Sequence, residues 1–123
     1  MRKSIMALVI AFAPISAVHA QNMPVGQFLA KAEALQKKGP MAVFSSDIGL
    51  LKKEIQTSGK AVRAEHSALV KAGKKSPYCM PEKASFNSTE LLSHFRAIPP
   101  AQRNMPVKAA FASFVKKKYP CPA

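Results

Sequence analysis

The chain has 123 residues, of which 48% are hydrophobic, and its 19 Lys and Arg outweigh 6 Asp and Glu to give a formal charge of +13. A chain of this length folds as one domain and buries a core without metal or dense cross-linking, which excludes a multidomain assembly and a cysteine-stapled mini-scaffold. Two cysteines, Cys79 and Cys121, are present, and the charge calls for an anionic partner or serves solubility.

Residues 1–20 have the order of an export signal. Arg2 and Lys3 start it, Ile5 to Ala17 forms an uncharged and mostly apolar run, and Val18-His19-Ala20 supplies the small-x-small pattern of a cleavage site. Cleavage between Ala20 and Gln21 leaves one domain over residues 21–123 and, with Arg2 and Lys3 gone, a charge of +11. The apolar run falls short of the roughly 20 residues that cross a bilayer, so the product is expected in the periplasm or secreted. There two cysteines permit one pairing, and the loop it closes, about 43 residues, contributes about 4 kcal/mol in the chain-entropy model.

The rest of the sequence predicts four helices. Val25, Phe28, Leu29, Ala32 and Leu35 recur at helical spacing after Pro24, a proline suited to an initial helical position, and Gly39-Pro40 ends the run. Ser45-Ser46-Asp47 offers an N-cap to the longest segment, about Asp47 to Ala72, with Gly73 as its terminator. Ile48, Leu51, Ile55, Ser58, Val62, His66 and Leu69 share one face of that helix. The opposite face carries a basic stripe of Lys53, Lys60, Arg63, Lys71 and Lys74, provided the helical phase persists past Gly73. A solvated face is the commoner reason for such a stripe; a surface for an anionic partner is the alternative. Gly49 and Gly59 weaken the helix and suit close approach of a neighbour.

A polar loop with Pro77, Cys79 and Pro81 leads to Asn87 and Glu90, spaced as a capping box for a third helix bearing Leu91, Leu92, Phe95 and Ile98. Pro99-Pro100 closes it. Pro106 opens a fourth helix with Val107, Ala110, Phe111, Phe114 and Val115 inward and Lys116-Lys117-Lys118 at its carbonyl end. Pairing Cys79 with Cys121 clamps this last helical hairpin, and the long second helix is the expected platform for Phe95, Phe111 and Phe114. The fold class is therefore all-α, a small bundle of about four helices with one disulfide behind a cleaved signal peptide.

Catalytic chemistry needs convergent groups, and the expected mature chain has one aspartate, Asp47, and two histidines, His66 and His94. Neither histidine has the spacing of a metal site, and no serine elbow or phosphate-cradling glycine loop occurs. Glu54 and Glu65 read as flank residues beside lysines. The expectation is a non-enzyme with no cofactor and no metal. Export also places nucleic acid below acidic proteins, anionic lipid and cell-wall polymer as a partner.

From Cys79 onward, Cys79-x-Pro81, the helix ending at Ile98-Pro99, then Phe111, Phe114 and the terminal Tyr119-Pro120-Cys121 resemble the C-terminal half of the Rap/Tai-type immunity proteins of type VI secretion. The resemblance covers about 45 residues. It implies a small exported helical protein, disulfide-bonded through Cys79 and Cys121, that binds and blocks a periplasmic toxin such as a cell-wall amidase. Two other classes fit the composition: a cationic envelope protein resting on anionic lipid or cell-wall polymer, and a small periplasmic chaperone.

Overall fold

The computed structural model describes residues 23–122; the expected leader and its junction at Ala20 and Gln21 lie outside the described residues. Four α-helices follow in chain order: α1 Val25–Lys38, α2 Ser46–Lys71, α3 Ser88–Ala97 and α4 Val107–Lys118. Turns of 3-10 helix, Gly39–Phe44 and Pro100–Gln102, lie between α1 and α2 and between α3 and α4. Among the described residues the extended pairing is limited to a bridge between Pro24 and Pro106. The domain is all-α, and Cys79 and Cys121 form its disulfide.

Each helix end follows from local chemistry. Pro24 sits one position before the first turn of α1, where its missing N–H is no loss. The free donors of that turn are met from elsewhere: Val25 N–H donates to the Met105 carbonyl at 3.0 Å and Gly26 N–H to the Arg103 carbonyl at 2.9 Å. Val107 N–H returns the favour to the Met23 carbonyl at 2.8 Å, so the starts of α1 and α4 hold each other. Ser45 Oγ accepts from Asp47 N–H to cap α2, and Gly73, at φ +70°, turns the chain out of it. Asn87 and Glu90 form the expected capping box on α3, each side chain accepting from the other's backbone N–H.

The core takes Phe28 and Leu29 from α1, Leu51 and Val62 from α2, Leu91 and Phe95 from α3, and Phe111, Phe114 and Val115 from α4. Burying each such side chain contributes about 1.5–3 kcal/mol. α2 packs chiefly on α4, as expected, while α3 packs on α1 and α4. Phe95 consequently meets Phe28 of α1 edge to face, with ring centroids 5.4 Å apart, which corrects the expectation that α2 would be its platform.

Two residues depart from the sequence reading. Tyr78, within the supposedly polar loop, is buried and donates its hydroxyl to the Val62 carbonyl at 3.0 Å. Glu54 is fully buried on the inward side of α2 instead of flanking lysines at the surface. Neither of its carboxylate oxygens has a hydrogen-bond partner among the described residues. The approaching Met23 backbone N–H only partly offsets the burial that pushes its carboxyl above the ordinary range, and it completes no bond of normal geometry.

Candidate partner-binding groove

The loop between α2 and α3 is fastened at several points, and this fastening builds a concave surface. His66 Nδ1 lies 2.8 Å from Ser76 Oγ, and Cys79 N–H donates to the Tyr119 carbonyl at 2.9 Å. Tyr119 Oη accepts from Ser85 N–H and donates to the Ser85 carbonyl, at 3.2 and 3.1 Å. Lys118 Nζ adds a bond to that same carbonyl and an ion pair with Glu90. Glu90's carboxyl is held below its ordinary range, first by the Asn87 backbone N–H and then by Lys118.

Held in this way, the loop stands off from α2 and α4 and leaves a groove of about 350 Å³. Its walls include Met80 and Phe86 from the loop, Ile55 and Gly59 from α2, and Phe111 and Phe114 from α4. Phe86 meets both α4 rings edge to face, at 5.4 Å from Phe111 and 5.5 Å from Phe114. At Gly59 a side chain is replaced by space: a Cβ there would stand 3.7 Å from the Phe111 ring. That is ordinary van der Waals contact, so a close approach does not demand glycine at 59, and Gly49 faces open space.

The basic stripe divides between this groove and the far end of α2. Lys60 and Arg63 line the groove, and Arg63 also donates to the Glu82 carbonyl at 3.3 Å. Lys53 is exposed but is not part of the lining. Lys71 is the last residue of α2, and the chain turns at Gly73, so the helical phase assumed for Lys74 is not maintained. None of the five is in an ion pair among the described residues. Three acids are engaged elsewhere, Asp47 with Lys31, Glu65 with Lys108 and Glu90 with Lys118, while Glu82, whose carbonyl accepts from Arg63, is in none of these pairs.

Met80 and Phe86 are groove residues that the sequence reading does not single out, and Tyr119, also in the lining, enters it only within the terminal Tyr119-Pro120-Cys121 motif. Phe86 carried one signal, because an apolar residue just ahead of an N-cap is the staple position of a helix start. Against the expectation of no S-x-x-K motif, Ser113 and Lys116 have that spacing within α4. Ser113 Oγ lies 3.0 Å from His94 Nε2, and burial, then Lys117, keeps the imidazole pKa low. Ser113 sits in the middle of α4 and His94 on α3, and the N–H groups beside Ser113 are spent within its helix and leave no oxyanion site. Among the described residues no cluster of His, Cys, Asp and Glu is placed to hold a metal ion, and no helix is long and apolar enough to cross a membrane. Comparison with known protein families, with characterised proteins and with solved structures finds no match for this chain.

Proposed function

We propose that this protein is an exported, non-enzymatic binding protein of the immunity type, which sequesters a periplasmic toxin such as a cell-wall amidase. The observation that carries the reading is the groove between α2, α4 and the Met80–Phe86 loop, with an apolar floor and Lys60 and Arg63 at its margin. Such a surface takes an apolar side chain of the partner in its floor while a neighbouring carboxylate meets the cations. The wider positive field accelerates encounter with an acidic toxin more than it raises final affinity. The disulfide, the capped helices and the pinned loop supply a preformed surface, which limits the entropy lost on binding. The resemblance of residues 79–121 to the Rap/Tai-type proteins supports the same class of partner.

The test is affinity isolation of the processed protein from its host's envelope at low and high salt, followed by assay of any captured cell-wall hydrolase. A hydrolase that is inhibited stoichiometrically, is released by salt and is no longer bound by the Lys60→Glu/Arg63→Glu double variant is the expected result. Recovery of the protein alone at low salt, in the presence of toxins the strain is known to secrete, overturns it.

A further inference from the structure

The 3-10 connection Gly39–Phe44 presents its apolar side chains to solvent. Met41 is 65% exposed, Val43 70% and Phe44 82%, which makes these the three most exposed large apolar residues of the described chain. They are grouped within four positions at the corner where α1 hands over to α2. Exposed apolar residues so grouped mark an interaction surface, whereas scattered ones need no explanation.

Positive charge predominates around this corner. Lys37 and Lys38 end α1 directly before it, and Lys52 and Lys53 follow in the second turn of α2, all four exposed. Asp47, in the first turn of α2, is taken up by Lys31 at 3.2 Å. Glu33 is the other acid on the flanking part of α1, more than a turn back from Lys38. An exposed apolar tip flanked in the chain by exposed lysines suits a surface that is fluid, apolar at shallow depth and anionic on its face. A second copy docked tip to tip would set these lysines against their own equivalents, at an electrostatic cost.

We infer that the Met41–Val43–Phe44 tip inserts into the interface of an anionic lipid bilayer, with Lys37, Lys38, Lys52 and Lys53 contacting its head groups. The apolar side chains enter the boundary between head groups and acyl chains, and the lysines contribute in proportion to the negative surface potential. This inference uses a different surface from the groove and stands independently of the toxin reading.

The chain contains no tryptophan, so Phe44→Trp gives a single fluorescent reporter in the processed, disulfide-bonded protein. Vesicles of phosphatidylcholine alone and of phosphatidylcholine with phosphatidylglycerol are the probes. The expected result is a blue shift and quenching by acyl-chain bromines with phosphatidylglycerol vesicles only, weakened by salt. Val43→Ser/Phe44→Ser, and separately Lys37→Gln/Lys38→Gln, should each reduce co-sedimentation about tenfold or more. No shift with anionic vesicles overturns the inference. So does binding that survives Val43→Ser/Phe44→Ser unchanged, which shows surface charge acting alone. A shift that depends on protein concentration without lipid also overturns it and assigns the tip to a second copy.

Discussion

The hydroxyl of Tyr78 reaches the carbonyl oxygen of Val62 at 3.0 Å, tying the residue next to Cys79 to the middle of α2. This one bond brings a loop of the disulfide onto the helix that carries the groove's cations. Tyr78→Phe keeps the ring and removes the bond, so a loss of about 1 kcal/mol is expected, read as a melting temperature several degrees lower. Tyr78→Ala also empties the ring's site and should cost about 3–5 kcal/mol. Burial first, and Glu65 second, raise the phenol's pKa. The unfolded chain therefore ionises before the folded one, and stability falls as pH rises above about 10. Tyr78→Phe should abolish that alkaline decline.

The Cys79–Cys121 disulfide spans a sequence separation of 42 and restrains the denatured chain over α3 and α4. Its reduction, or the Cys79→Ser/Cys121→Ser variant, should lower stability by up to about 4 kcal/mol. Hydrogen exchange should then rise first in residues 74–87, whose bonds to Tyr119 depend on the C-terminal segment staying close. Protection in α1, which is held by Met105 and Arg103, should change least. Uniform loss of protection over all four helices would contradict this order.

Glu54 sets a pH dependence of opposite direction to that of an ordinary paired acid. Its carboxyl is buried without a described partner and has a raised pKa, so the unfolded chain loses its proton first, near the ordinary glutamate value of 4.5. Above that pH the folded state holds more protons, and stability falls as pH rises toward the folded pKa. His94, whose pKa is lowered by burial, acts the other way: its contribution is present above the unfolded value of 6.5 and is lost as pH falls through the folded one. Glu54→Gln leaves His94 untouched, so the difference between the two proteins isolates the carboxyl. Denaturant melts at pH 5 and pH 8 should show the variant gaining on the parent at the higher pH. Glu54→Leu should raise stability at pH 8 by about 1–3 kcal/mol, because no buried polar group then lacks a partner.

The helices were legible in the sequence because their signals are local and agree with one another. Asn87 with Glu90, Ser45, Gly73 and the prolines mark their own boundaries, and the period of Val25, Phe28, Leu29 and Ala32 names its own buried face. The groove was less legible, because it depends on where the loop from Ser76 to Phe86 lies, and that is fixed by Tyr78, Tyr119 and Lys118 acting across the fold. Tyr78 and Phe86 have no periodic neighbours that would betray burial or contact. Glu54 follows the inward stripe of α2 by position, yet its charge argued for the surface; tertiary packing overrode that expectation. Ser113 and His94 lie on different helices, and their approach has no trace in sequence spacing.

The two glycines of α2 separate stability from binding. Both sit in helix interior, where alanine is better by up to about 1 kcal/mol. A Cβ on Gly49 meets nothing within 4 Å, and one on Gly59 meets the Phe111 ring at an ordinary 3.7 Å. Gly49→Ala and Gly59→Ala should therefore each stabilise the domain by roughly 0.5–1 kcal/mol in denaturant titration. Their effects on the partner should diverge, because Gly59 lines the groove and Gly49 does not. Gly59→Leu directs a long side chain into the space that the partner's apolar group would fill, so it should abolish capture while helical circular dichroism is retained. Gly49→Leu should leave capture unchanged. Equal behaviour of the two leucine variants in the binding assay would remove the groove as the site of contact.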